Sequence, residues 1–393
     1  MAVVLAAGMA APAGLVVAQD TTAKIAAPAV DSAAKGQVLI AKGIDFLKSR
    51  QLPDGGWAAG QQPVGITAMS LRAIVGSGID SSKTDWVKKG YDKLLTYQLD
   101  SGGIYKDLLA NYNTAIAVSA LGSANDQAFK PFIDKAVAYL KSIQWTEAIE
   151  GGPKGEGKIT PDNPWYGGLG YGRQGRPDGS NTQMMLDALH DAGLPADDPA
   201  FKAALKFVSR MQNLSETNDQ KWAGNDGGGI YTPANNGESM AGEYTDASGK
   251  RLLRSYGSMT YAMLKSYVYA GLTKDDPRVK AAWDWISKNW TLSENPGMMA
   301  GNPENAKAGL FYYYLTLARA LDAYDQPIIT DPQGNKHDWR MELIARMAEL
   351  QKEDGSWVGD KRWQEDNPVL ATSYALIALE SAVKDLREHP AGK

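Results

Sequence analysis

The chain has 393 residues, with 41 basic against 45 acidic ones and a net charge of −4; no basic tract is dense, which excludes a nucleic-acid partner of the usual electrostatic kind. There is no cysteine, so disulfides, thiolate catalysis and cysteine-ligated zinc are excluded. The aromatics lean to tyrosine (18) and tryptophan (11) over phenylalanine (6), side chains that join a large apolar area to a polar handle and suit half-wet clefts as well as cores.

Residues 1–18, MAVVLAAGMAAPAGLVVA, are small and apolar. They end in Val16-Val17-Ala18 before Gln19-Asp20, the pattern of a signal peptide and its cleavage site, although a Lys/Arg n-region is missing. The segment is interrupted by Gly and Pro and is marginal as a membrane span, so no transmembrane span is expected in the mature chain. The expected location is exported, periplasmic or extracellular. Residues 19–35 read as a linker, 36–385 as one domain, and 386–393 as a tail.

From residue 36 one pattern recurs six times: an amphipathic helix ending in Gln, a Gly-rich loop closed by Trp or Tyr, then a more apolar helix. Unit one has a helix near 36–50, Gln51, the loop to Trp57 and a helix near 65–78. Unit two has a helix near 84–97, Gln98, the loop to Tyr105 and a helix from Asn111. Unit three has a helix near 128–143, Gln144, a long insertion, and a helix from Ser180. Unit four has a helix near 198–211, Gln212, a loop to Tyr231, a second insertion, and a helix from Ser255. Unit five has a helix near 276–288, Asn289 at the Gln position, and a helix through Tyr312, Tyr313 and Tyr314. Unit six has a helix near 338–350, Gln351, the loop to Trp357 and a helix from Val369. The first helix of each pair is charged on one face; the second is apolar nearly all round and should be enclosed. Twelve helices alternating in this way predict an all-α double ring, six inner and six outer. A feature present in every unit is a structural staple before it is a site, so Gln51, Trp57, Gln98, Tyr105, Gln144, Gln212, Gln351 and Trp357 are assigned to stapling. The Gln is expected to bond backbone groups left open at helix ends, and the Gly to allow the sharp reversal.

Lys42-Gly43, Leu47, Gln51, Gly55 and Trp57 resemble in full the QW motif of the triterpene cyclases and the related repeats of protein prenyltransferase β-subunits. Lys89-Gly90, Leu94, Gln98, Gly103 and Tyr105 match with Tyr for Trp, and the remaining units are looser. The resemblance covers about residues 36–385. It implies an (α/α)6 toroid of the squalene-cyclase and prenyltransferase-repeat type, with a central cavity that accepts a long apolar isoprenoid. The family's catalytic motifs do not carry over. The Asp-x-Asp-Asp acid motif of class II terpene cyclases is missing, and without cysteine neither the prenyltransferase zinc site nor a complement-type thioester can form. No metal and no cofactor is expected. The nearest acid pairs, Asp197-Asp198 and Asp275-Asp276, each precede Pro and read as helix N-caps.

Departures from a repeat are where function is grafted, and units three and four carry the insertions. Asp178 and Asp226 sit beside Gly at the entrance to inner helices and are the candidate catalytic acids, because a carboxyl in a dry aromatic pocket has a raised pKa and can donate a proton. The competing explanation for both is ordinary turn chemistry. Arg173, Arg176, Arg251 and Arg254 could gather at the same mouth for an anionic group, or pair with loop acids. Candidate substrate-binding residues are Tyr171, Arg173, Arg176, Asn181, Tyr231, Arg254, Tyr256, Tyr312 and Tyr313. Three consecutive tyrosines cannot all face one side of a helix, so at least one of Tyr312–Tyr314 points to the cavity. Three functions compete: an exported toroid that binds, with or without transforming it, an apolar isoprenoid-type ligand; a non-catalytic envelope binding or scaffold protein; and a carbohydrate-active lyase or hydrolase toroid. A deep apolar pocket with a buried carboxyl favours the first, a polar cleft with two carboxylates the third, and a filled core the scaffold.

Overall fold

The structure, a computed structural model, describes residues 21–58, 62–149, 158–172 and 175–390. The segment 1–18, read above as a signal peptide, lies outside them. Six outer helices are α1 (Thr21–Ser49), α3 (Asp85–Leu95), α5 (Lys130–Ser142), α7 (Pro199–Arg210), α9 (Pro277–Lys288) and α11 (Trp339–Leu350). Six inner helices are α2 (Pro63–Gly76), α4 (Ala110–Ser123), α6 (Gly179–Asp191), α8 (Gly257–Tyr269), α10 (Leu310–Tyr324) and α12 (Pro368–Glu388). Each inner helix packs on the next, and α12 packs back on α2, so the ring closes. The expected (α/α)6 toroid is the fold. Among the described residues no helix is long and apolar enough to cross a membrane.

Two boundaries differ from the sequence reading. The stretch read as a linker is helical from Thr21, because α1 continues upstream along α11 and α12 and buries Ala29 and Ala33. At the other end α12 runs past residue 385 to Glu388, with Leu386 buried. Each end gains apolar contacts that a unit-by-unit periodicity does not register.

Local chemistry explains the elements. Asp198 and Asp276 do cap α7 and α9, accepting from Ala200 N and Arg278 N at 2.9 Å each, ahead of a proline that suits the first helical turn. The inner helices carry Ala, Ser, Thr and Gly among larger apolar residues, and nearly all of α4 from Ala110 to Leu121 is buried. Two short antiparallel hairpins lie between helices: β1 (Glu243–Thr245) pairs Glu243 with Leu253 of β2 (Arg251–Leu253), and β3 (Ile328–Thr330) pairs Ile328 with Asp338 of β4 (Lys336–Asp338).

The repeated motif works between units rather than within one. Gln51 Nε2 donates to Gly55 O of its own loop (2.9 Å) and to Trp86 O of the next outer helix (2.8 Å). Gln98, Gln144 and Gln212 repeat the bridge to Phe132 O, Ala200 O and Arg278 O at 2.8–3.0 Å. Gln351 reaches Leu39 O of α1 at 3.0 Å, which joins the last unit to the first. Asn289 is one methylene shorter and bonds back to Trp285 O of its own helix (2.7 Å), so the junction between units five and six lacks this staple. The glycine after the Gln is required for two reasons. Gly55 and Gly355 have φ of +96° and +85°, and a Cβ there would stand 2.4 Å from the carbonyl oxygen of Lys89 or Lys42 on the neighbouring helix. The Gly of the Lys-Gly pair is a socket. A Cβ on Gly90 would meet the Trp57 ring at 2.8 Å, and one on Gly43 would meet Trp357 at 3.0 Å.

The structure moves one staple. By backbone station Ile104, not Tyr105, matches Trp57: the amides of Trp57, Ile104 and Trp357 donate to the hydroxyls of Thr67, Thr114 and Thr372 at 3.1, 2.9 and 3.0 Å. Tyr105 lies one residue beyond and packs on Tyr139, ring centroids 5.9 Å apart. These threonines extend the motif into the inner helix and escaped the sequence reading. Replacing Gln351 by Leu removes the bonds to Leu39 O and Gly355 O that tie the last unit to the first, and urea denaturation should show a loss of about 1–3 kcal/mol with an unchanged slope.

Candidate functional site

All six inner helices start at the same face of the ring, and the two insertions lie over that face. A cavity of about 250 Å³ opens there. Tyr112 of α4, Tyr256 just before α8, Tyr312 of α10 and Tyr374 of α12 line it, with Tyr171 and Tyr231 from the insertions. Ile66, Ile116, Met259 and Leu370 fill the wall between them. Most hydroxyls are spoken for inside the protein. Tyr112 and Tyr374 share a hydrogen bond of 2.9 Å, and Gln183 Nε2 donates to Tyr312 Oη at 3.1 Å. What Tyr112, Tyr312 and Tyr374 offer a ligand is therefore ring surface. Among the described residues no carboxylate lines the cavity.

Asp178 sits immediately behind that wall and is 1 % exposed. It caps α6: its carboxylate accepts from Asn181 N at 2.9 Å and from Asn181 Nδ2 at 2.9 and 3.1 Å. Asn181 is held in turn by Asn111 Nδ2, which donates to Asn181 O at 3.2 Å and to its Oδ1 at 3.3 Å. Burial pushes the Asp178 carboxyl up to about 6, against the pull of the Asn181 bonds, the Arg176 charge and a hydrogen bond from the Tyr231 hydroxyl. Tyr231 also shares a hydrogen bond with Tyr171. Asp178 thus holds a proton for part of the time near neutral pH, and Tyr231 connects it to the cavity.

A second buried carboxyl, Glu365, escaped the sequence reading. The N-cap of α10 is Gly309, which has no side chain to offer, and Glu365 supplies the cap from a distant loop by accepting from Tyr312 N at 2.8 Å. Its other oxygen has no partner, and burial pushes this carboxyl up to about 7. Trp363 and Gln364, two residues upstream and one, both line the cavity and both take left-handed backbone, φ +62° and +65°. Trp363 remains 44 % exposed and lies over Gly309, where a Cβ would be 2.0 Å from its ring. The available signal was a tryptophan six residues past the motif Trp357 and outside the repeat register.

The other expected site residues divide. Tyr171, Tyr231, Tyr256 and Tyr312 do line the cavity. Tyr313 does not: it is fully buried on the outward side of α10, with its hydroxyl on Thr291 O at 2.7 Å. That is the helical geometry of adjacent residues at work. Asp226 also misses the cavity, and its Oδ1 closes a turn by accepting from Gly228 N (2.9 Å) and Ser255 Oγ (2.7 Å). Asn181 is buried behind the wall and positions Asp178. None of Arg176, Arg251 and Arg254 lines the cavity. Arg176 pairs with Glu238, Arg251 pairs with Glu243, and Arg254 lies over the Tyr244 ring at 4.7 Å. Arg173 is outside the described residues.

A closed double ring of helices with an aromatic cavity at the inner-helix starts places the chain in the α/α-toroid class. The type II terpene cyclase MstE from Scytonema has this fold: its apo structure aligns at a TM-score of 0.52 and 14 % identity, over 90 % of this chain and 99 % of that one. A single-residue variant of that cyclase in complex with its substrate, geranylgeranyl dihydroxybenzoate, aligns at 0.51 and 13 %, over the same shares. A second variant, in complex with the product merosterolic acid A, gives 0.51 and 13 %, again over those shares. At such identity the likeness speaks for the fold. No protein-family model matches the chain, and no curated protein sequence matches it.

Proposed function

We propose that this chain is a diverged, exported member of the terpene-cyclase-like toroids that binds an isoprenoid-type ligand in the mouth cavity, and that Asp178 delivers a proton to it. The observation that carries the reading is an aromatic-walled cavity on the ring axis with a buried, partly protonated carboxyl one hydroxyl away. In the step itself the proton of Tyr231 passes to a carbon–carbon double bond while Asp178 returns a proton to Tyr231. The π bond is consumed, a C–H bond forms on one carbon and a carbocation on the other, Asp178 is left as the carboxylate, and the cation is quenched by attack of a second double bond of the ligand followed by loss of a proton. The solved toroid that binds geranylgeranyl dihydroxybenzoate supports the ligand class.

A second reading keeps the ligand and drops the chemistry. Its support is that both Asp178 oxygens are already occupied by Asn181, as in any well-made N-cap. Among the described residues the carbohydrate-active reading has no pair of lining carboxylates at this mouth to rest on.

Geranylgeraniol added to the full chain should give a 1:1 complex in native mass spectrometry and quench the Trp363 emission. Leu370→Trp narrows the cavity and should abolish both signals, with circular dichroism confirming the fold. Unchanged binding in that variant, or none in the parent, would remove the reading. Export rests on the leader-like first eighteen residues, so material recovered from the native host should begin at Gln19 by N-terminal sequencing.

A further inference from the structure

The inner helices end at the pole opposite the mouth. A second cavity, about 450 Å³, opens there among the last turns of α2, α6, α8, α10 and α12. Its wall is ionic where the mouth is aromatic. Arg319 forks onto Asp191 at 3.0 and 3.4 Å and reaches Tyr269 Oη at 3.2 Å. Behind the wall Arg72 touches Glu380 at 3.4 Å, and Lys265 and Asp187 form a buried pair at 2.8 Å. Apolar side chains could fill this axis at lower cost, because buried ion pairs commonly return no net stability.

One buried polar atom of a lining residue, Arg72 Nε, has no partner. With the Asp322 carboxylate and the Ser381 hydroxyl on the same wall, it suits a ligand that both accepts and donates hydrogen bonds. The charges also balance. Arg72 and Arg319 line the cavity with Asp191 and Asp322, two cations against two carboxylates. A ligand with net charge would find no counter-charge here. One flat face completes the cavity: His190 stacks on Tyr269 at 3.8 Å.

We propose that this pole is a binding site for a small neutral polyhydroxylated molecule, of monosaccharide or polyol size, held by Arg72, Asp322 and Ser381 against the His190–Tyr269 face. The site is separate from the mouth cavity and does not depend on what the mouth binds.

Saturation-transfer NMR on the full chain tests it with glycerol, myo-inositol, D-glucose and cellobiose, and with glucosamine and gluconate as charged counterparts. The expected result is transfer to at least one neutral probe and weaker transfer to the charged ones. Ala196 is exposed on the cavity rim, so Ala196→Trp should block binding without disturbing the fold. Arg72→Met should weaken it by about tenfold or more, as expected for a lost bond from a charged donor. Leu370→Trp at the mouth should leave it unchanged. The proposal is overturned by silence from every neutral probe, by preference for a charged probe, or by binding that survives Ala196→Trp. A cavity that holds only water gives the first of these outcomes.

Discussion

Trp357→Ala should lower the unfolding free energy by about 3–5 kcal/mol, the usual cost of deleting a fully buried tryptophan. The ring leaves a hole because its surroundings are fixed on every side. Its indole N–H donates to Met347 O at 2.9 Å, its backbone amide to Thr372 Oγ1 at 3.0 Å, and its ring edge fills the socket at Gly43. That socket belongs to α1, so the damage falls on the seam where the last unit meets the first. Trp57→Ala makes the same hole against Gly90, one unit further on, and should cost a similar amount. The two variants part in hydrogen exchange. The α1 amides around Gly43 should exchange faster in Trp357→Ala, whereas in Trp57→Ala the change should fall on the last turn of α1, where Leu47 O accepts from the Trp57 indole at 2.7 Å, and on α3. Equal α1 protection in both variants would mean that the seam is not held by this contact.

Asp178→Asn should preserve the fold and lose product formation by about a hundredfold or more, the usual scale for a general acid. Asparagine is itself a good N-cap, so α6 retains its start, but it has no proton to give. Deuterium from D2O should enter the product of the parent chain and be lost with the variant. Incorporation that persists in Asp178→Asn would move the acid elsewhere, with Glu365 the next group to replace. The pH profile follows from the raised pKa. The active form is protonated, so the rate should fall as pH rises through about 6. Stability moves in the same direction. A carboxyl whose folded pKa lies above its unfolded value contributes fully below the unfolded pKa, and the contribution disappears as pH rises through the folded one. Asp178 should therefore cost the fold about 3 kcal/mol between pH 4 and pH 6, since each pH unit across that window is worth about 1.36 kcal/mol, and Asp178→Asn should flatten that slope.

The repeat made the fold legible because each unit states its own geometry. Asp198 and Asp276 were readable as caps from local spacing alone, since a cap acts over two residues. The toroid followed from counting hairpins that cannot bury an apolar face singly. The site was only partly legible. Tyr256 and Tyr312 were named for their place on inner helices, but Tyr313 looked equivalent in sequence and turned outward. Tyr112 and Glu365 carried no local mark, because the roles of both are set by partners 262 and 53 residues away.

By itself the sequence determined the number of hairpins, the assignment of amphipathic helices to the outside and enclosed helices to the inside, and the places where the pattern is interrupted. These are properties of short stretches, fixed by periodicity, capping and the needs of single turns. Only the tertiary structure decided that Gln351 and Trp357 lock onto α1, that Asp178 rather than Asp226 backs the cavity, and that Arg176 and Arg251 pair with loop acids instead of lining it. Each of those outcomes depends on which distant groups meet when the ring closes, and closure is a property of all six units together.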